Sequence, residues 1–127
     1  MSARKQRLLI SLLSFCPVLF SEIVVDGLLD EEEWATAKEV NKFYEVYPYT
    51  LETGHNDTKI LIREDEKGIY FGFINTQLKE TIRLNQHQRD QGLEPPIGDQ
   101  NGVTIDFDND ARTGYRFIVN AGGSISD

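Results

Sequence analysis

The clearest pattern in the sequence is a pair of short runs rich in β-branched and aromatic residues, which is typical of β-strands. The runs are residues 58–63 and 69–75, and the polar turn 64–68 separates them. Phe71 and Phe73 share one face of the second stretch. These features predict an antiparallel hairpin.

A second hairpin is predicted from residues 102–108 and 115–120, which are joined by the polar connection 108–114. The apolar positions of both strands keep the same phase: Val103, Ile105, Phe107, Tyr115, Phe117 and Val119. One face of this hairpin is therefore expected to be apolar and the other polar.

A very short helix is predicted near the start of the domain. Asp30 is the expected N-cap, and Glu33, three residues later, completes a capping box. Trp34 and Ala37 fall on one face of this helix, where the indole is best explained by core packing against a sheet.

The polar stretch 77–98 has no strand pattern and carries the pair Pro95-Pro96. A long polar loop in a compact domain is often functional. Short alternating strands, polar turns and almost no helix together predict an all-β fold, an antiparallel sandwich or barrel. Three or four strands cannot close a two-sheet sandwich, so we expect the domain to be incomplete at its C-terminus and a downstream region to follow.

The first 21 residues differ from the rest. Three basic residues before position 8 precede an apolar run at positions 8–20, the pattern of a secretory signal peptide. The run is shorter than the ~20 apolar residues of a spanning helix. We therefore expect residues 1–21 to be a signal peptide and residues 22–127 to be one exported domain, periplasmic, outer-membrane-associated or extracellular. A buried N-terminal helix and a lipid anchor on Cys16, the only cysteine, are the alternatives.

The chain has 13 basic and 21 acidic residues, a formal charge of −8. An acidic surface repels phosphate backbones and anionic lipid headgroups. Nucleic acid is therefore not an expected partner, and no membrane-spanning segment is expected in the mature chain.

Several motifs follow each other in an order that resembles the family-nine carbohydrate-binding modules, most of all the version at the N-terminus of large exported bacterial proteins. The resemblance covers residues 23–127, and the matching positions are 25–31, Trp34, Ala37, Phe43, Tyr47, Pro48, 68–73, Arg89, Asp90, Asp99, Ile105, Asp106, 112–117, Val119, Asn120 and Gly122. It implies a jelly-roll-like β-sandwich that binds a glycan without catalysis, attached to a further region of a longer protein.

Sugar binding needs an apolar face for stacking and planar polar groups for paired hydrogen bonds to hydroxyls. The polar candidates are Arg83, Arg89, Asp90, Asp99 and Asn120, and the aromatic candidates are Tyr47, Tyr49 and Tyr115. The stacking tryptophans of the family have no evident counterpart in this chain. The alternative function is therefore a structural or interaction domain without a sugar ligand.

Asp106, Asp108 and Asp110 alternate as they would in a calcium loop, and carboxylate oxygens suit Ca²⁺. The match to an EF-hand fails, because Ala111 stands where the turn needs glycine. The three acids are better explained as caps of a hairpin turn. Asp106 opposite Arg116 could also form a cross-strand ion pair.

Catalysis has little support in the sequence. His55 and His87 are the only histidines, and no nucleophile motif or metal-spaced histidine pair accompanies them. A glycosidase with two paired acids remains a minor alternative. We therefore expect a protein that is not an enzyme.

Overall fold

The computed structural model describes residues 22–90 and 98–127. The predicted signal peptide with Cys16, and residues 91–97 of the polar stretch with Pro95-Pro96, lie outside the described residues. Two 3-10 helices span Glu32–Thr36 and Lys79–Thr81. The strands are β1 Lys38–Val40, β2 Tyr44–Val46, β3 Tyr49–Thr53, β4 Thr58–Glu64, β5 Ile69–Asn75, β6 Gln100–Ile105, β7 Tyr115–Asn120 and β8 Ile125–Ser126.

The strands form three antiparallel sheets, with the orders β1-β4-β5, β2-β3 and β6-β7-β8. The prediction of an all-β antiparallel fold is therefore confirmed. The face-to-face packing of two sheets in a jelly-roll-like sandwich stays a prediction. Across residues 22–90 and 98–127, no helix has the length and apolar character that crossing a membrane requires.

The predicted hairpin β4–β5 is present, with seven residue pairs from Thr58 opposite Asn75 to Glu64 opposite Ile69. Its turn is held by Asp65, whose Oδ1 accepts hydrogen bonds from the backbone N–H groups of Lys67 (2.7 Å) and Gly68 (3.1 Å). A polar turn closed by its own carboxylate fixes the register of the two strands.

One face of the β1-β4-β5 sheet packs on the segment that precedes it in the chain. Trp34 is buried, as the sequence predicted. A Cβ atom added to Gly72 would lie 2.8 Å from Leu29 Cδ2 and 3.3 Å from Trp34 Cη2. Glycine at this position therefore lets the leucine and the indole approach the backbone of β5.

The prediction that Asp30 caps the first helix is wrong. Glu31 is the N-cap residue, and its side chain makes no capping bond. Instead its Oε1 accepts a hydrogen bond from Val24 N (2.8 Å), and its Oε2 accepts one from Trp34 Nε1 (2.9 Å). The Glu31 carboxylate thus joins the N-terminal segment to the buried indole. Ala37 lies just past the helix end as its C-cap.

The second predicted hairpin is also present, with six pairs between β6 and β7. The predicted strand 102–108 is displaced, because β6 begins at Gln100 and ends at Ile105. Asp106 and Asp108 belong to the turn that follows. The register places Thr104, not Asp106, directly opposite Arg116, so the expected placement of these two residues is wrong, while an ion pair between them stays a prediction.

The β6-β7-β8 sheet buries one end of its less apolar face, while Gly102, Thr104 and Arg116 at the other end of that face are exposed. Ile118, Asn120 and Ser126 are buried there, whereas Tyr115 and Phe117 on the other face are 63% and 41% exposed. Residues 85–87 cover the buried face through hydrogen bonds. Asn120 Nδ2, for example, donates to the backbone oxygen of Asn85 (2.5 Å).

The hairpin β2–β3 was not predicted from the sequence. We call Tyr44–Thr53 the tyrosine hairpin, because it carries exposed tyrosines at positions 44, 47 and 49. Tyr47 at its turn is 94% exposed and is joined to Pro48 by a cis peptide bond. The hairpin also bears exposed Val46 and Leu51.

Candidate functional site

A cavity of about 460 Å³ opens where the end of the β4–β5 hairpin meets the start of the β6–β7 hairpin. We call it the amide cavity, because five of its lining residues carry side-chain amides. Its lining is Thr58, Asn75, Gln77, Ile82, Arg83, Gly98, Asp99, Gln100, Asn101, Val119, Asn120 and Ala121. Three of the residues predicted from the sequence, Arg83, Asp99 and Asn120, are therefore brought together.

Asp99 organises one wall of the amide cavity. Its Oδ2 accepts hydrogen bonds from Gln77 Nε2 (2.8 Å) and Arg83 N (3.0 Å), and its Oδ1 accepts one from Arg83 Nε (3.0 Å). Its backbone N–H donates to the Arg83 oxygen, and its own backbone oxygen accepts a bond from Ala121 N (2.7 Å). These bonds fix the carboxylate and the guanidinium in one orientation.

The same contacts set the charge of Asp99. The backbone N–H of Arg83, then the Gln77 amide and the Arg83 guanidinium, hold the pKa of the Asp99 carboxyl below its usual value. Donors that bond to the ionised form stabilise it. Asp99 is therefore an acceptor in the cavity at neutral pH.

A row of polar side chains crosses from one sheet to the other. Thr58 Oγ1 bonds to Asn75 Oδ1 (3.3 Å), and Asn75 Nδ2 donates to Asn101 Oδ1 (3.1 Å). Thr58 and Asn75 end the β4–β5 hairpin, whereas Asn101 lies on β6. The two walls of the amide cavity thus belong to different sheets.

Asn120 is held differently. Its Nδ2 donates to Asn85, and its Oδ1 accepts a hydrogen bond from Ser124 N (2.8 Å). Both ends of its amide therefore serve the β7–β8 turn and the contact with the polar loop. Asn120 therefore has a structural role, and the predicted sugar contact of this residue stays a prediction.

Arg89 and Asp90 lie outside the amide cavity. Arg89 Nε donates to Asp127 Oδ1 (3.0 Å), and Asp90 Oδ1 accepts a hydrogen bond from Asp127 N (3.1 Å). Hydrogen bonding to Asp127 and its negative charge raise the pKa of Arg89. Arg89 lines a separate cavity of about 400 Å³ beside residues 122–125.

Tyr115 is also separated from the amide cavity. It pairs with Ile105 at one end of the sheet, four residues before Val119, which lines the cavity. At the strand rise this is about 13 Å. Its ring packs on Phe107 at a centroid distance of 5.6 Å, with an angle of 60° between the planes. Tyr115 is therefore not a stacking partner for a ligand within the amide cavity.

The acids of the β6–β7 turn act on the backbone. Asp106 Oδ2 accepts a hydrogen bond from Ala111 N (2.7 Å), and Asp110 Oδ1 accepts one from Arg112 N (2.8 Å). The Ala111 N–H and the Arg112 N–H are the main causes that lower the pKa values of Asp106 and Asp110. This is the turn-capping role that the sequence favoured.

Asp108 contributes its backbone N–H to the same turn, as a donor to Asp106 Oδ1 (3.1 Å). In the part of the chain that the structure describes, no group of three or more His, Cys, Asp or Glu side chains is placed to hold a metal ion. Calcium binding at Asp106, Asp108 and Asp110 stays a prediction.

The sequence did not single out Asn75, Gln77, Gln100 and Asn101. They stand at strand ends or just beyond them, where an amide is also an ordinary surface residue. The available signal was the recurrence of Asn and Gln at the ends of predicted strands 69–75 and 102–108, and it has little specificity.

Comparisons of the chain with family models, with curated proteins and with solved structures find no match. The resemblance to the family-nine carbohydrate-binding modules therefore stays a prediction.

Proposed function

We propose that this chain is a non-catalytic carbohydrate-binding domain of an exported protein and that a glycan binds in the amide cavity. The observation that carries the proposal is the convergence of five side-chain amides, one carboxylate and one guanidinium around a single opening. Amides both donate and accept hydrogen bonds, as sugar hydroxyls do. Ile82 and Val119 add apolar surface to the same lining.

Arg83 and Asp99 supply the charged part of the proposed site. The bond from Arg83 Nε to Asp99 fixes the guanidinium, while the side chain stays 63% exposed, so its terminal N–H groups are accessible to a ligand. Groups held in place before binding lose little conformational freedom when the ligand arrives. In the proposed site, Arg83 donates hydrogen bonds to sugar oxygens, and Asp99 accepts hydrogen bonds from sugar hydroxyls.

The charge state of the cavity supports binding rather than hydrolysis. Most glycosidases use two carboxyl groups, one of them with a raised pKa that lets it act as an acid. Among the described residues that line the amide cavity, Asp99 is the one carboxyl group, and its pKa is lowered. An ionised carboxylate held by three donors is suited to accepting hydrogen bonds.

The test is isothermal titration calorimetry of the purified protein with a panel of soluble neutral oligosaccharides. We expect binding to at least one of them, and Arg83→Ala should weaken it by about tenfold or more, because a hydrogen bond from a charged group contributes about 1.5–3 kcal/mol.

The matched control is Arg89→Ala. Arg83 and Arg89 are equally exposed (63% and 64%), and the Nε of each bonds to an aspartate, but Arg89 lies outside the amide cavity. Arg89→Ala should leave the affinity unchanged. A folded protein that binds no sugar, or equal losses in both variants, would contradict the proposal.

A second candidate function is an interaction domain without a sugar ligand. It is favoured by the apolar residues that are exposed on the β6-β7-β8 sheet, such as Tyr115, Phe117 and Val119. Contiguous exposed apolar surface is typical of contact with another macromolecule. The absence of heat with every sugar, from a protein shown to be folded by circular dichroism, would favour this candidate.

A further inference from the structure

A second cleft, of about 310 Å³, lies at the base of the tyrosine hairpin. We call it the hairpin cleft. It is lined by Asn41, Lys42, Phe43, Tyr44, Thr53, Gly54, Asn56, Asp57 and Thr58. Unlike the described lining of the amide cavity, this lining contains aromatic rings, and it combines them with amide groups.

The two openings share one lining residue. Thr58, the first residue of β4, lines the hairpin cleft and the amide cavity. Its hydroxyl bonds to Asn75 on the cavity side. On the other side the chain leads directly through Asp57 and Asn56 into the cleft. The amide cavity and the hairpin cleft therefore lie next to each other at Thr58.

The composition of the two openings is complementary. The amide cavity supplies hydrogen-bonding groups but, among its described lining residues, no ring on which a sugar could stack. Tyr44 in the hairpin cleft is 58% exposed, so its ring is accessible to solvent. Pyranose rings present C–H groups on their faces, and an exposed aromatic ring is the usual partner of such a face.

Building on the function proposed above, we propose that the ligand is an oligosaccharide rather than a single sugar, with one end in the amide cavity and the following units crossing Thr58 to stack on Tyr44. Monosaccharide affinity then depends on the amide cavity alone. Oligosaccharide affinity depends on both openings.

The experiment compares glucose, xylose and mannose with the corresponding β-linked tetrasaccharides by calorimetry, using the whole chain. We expect the preferred tetrasaccharide to bind more tightly than its monosaccharide. Tyr44→Ala should remove that advantage: the affinity for the tetrasaccharide should fall between about threefold and tenfold, because one aromatic contact is lost. The affinity for the monosaccharide should not change. Tyr44→Phe keeps the ring and should retain the advantage.

Tyr115→Ala is the matched control, since Tyr115 is a strand tyrosine of similar exposure, 63%, placed away from both openings. It should change neither affinity. Equal affinity for monosaccharide and tetrasaccharide, with no effect of Tyr44→Ala, would overturn this inference and leave the amide cavity as a one-sugar site. If the unmutated, folded protein binds no sugar, the proposed function and this inference are both overturned.

Discussion

The two three-stranded sheets differ in the kind of side chain that covers or fills their buried face. The β1-β4-β5 sheet is covered by apolar side chains, with Leu29 and Trp34 packed against Gly72. The β6-β7-β8 sheet instead buries Asn120 and Ser126 next to the polar loop and leaves Tyr115, Phe117 and Val119 of its apolar face exposed. The difference shows that alternation predicts a strand and its two faces, but the neighbouring segment decides which face is buried.

The largest expected effect is in the sheet covered by apolar side chains. Trp34→Ala should lower the free energy of unfolding by about 3–5 kcal/mol, because it removes a buried indole and leaves a cavity above Gly72. Urea denaturation followed by circular dichroism measures the loss. Trp34→Phe keeps one aromatic ring but loses the second ring of the indole and the bond to Glu31, so it should cost clearly less than Trp34→Ala. Equal losses in the two variants would contradict the expectation that the retained ring contributes packing energy on this face.

An intermediate effect is expected in the other sheet. Asn120→Ala should cost about 1–3 kcal/mol, because the Asn85 oxygen and the Ser124 N–H lose their partner. The same denaturation experiment applies. The control is Asn75→Ala, an exposed asparagine at a strand end, for which about 1 kcal/mol or less is expected. If Asn120→Ala cost no more than its control, the buried polar contacts would not stabilise this sheet.

The smallest effect is expected on the exposed apolar face. Phe117→Thr keeps a residue that favours β-strands, and it should change the free energy of unfolding by about 0.5 kcal/mol or less. Solubility should rise as exposed apolar surface is lost. A loss as large as that of Trp34→Ala would show that this face is covered in solution. Sedimentation velocity would then reveal whether a second copy covers it.

The parts of the fold that could be predicted were those in which one short segment of sequence contains both the strand pattern and the turn. The β4–β5 hairpin has a β-rich run on each side of a self-capped turn, so the local sequence was enough to predict both strands. The strands β1 and β8 have three and two residues, too few to show a period. The tyrosine hairpin was missed because its turn at Tyr47-Pro48 interrupts an otherwise readable alternation.

The candidate site was predicted only in part, because it depends on contacts across the chain. The sequence named both Arg83 and Arg89, which stand in similar polar surroundings. Only the fold separates them, since Asp99 pairs with the first and Asp127 with the second. The prediction that Asp30 caps the first helix was wrong for a related reason. Glu31 is the N-cap residue, and its carboxylate bonds to the Val24 backbone and to the Trp34 indole, which are contacts of the folded chain.

The row from Asn75 to Asn101 has a thermodynamic consequence. The walls of the amide cavity belong to two different sheets, so a sugar that bonds to both walls would link the two sheets. Binding to the folded state alone would then raise its stability by about 2.7 kcal/mol at a ligand concentration of 100 times the dissociation constant. The melting of the two sheets would become more cooperative, because neither could open without releasing the ligand.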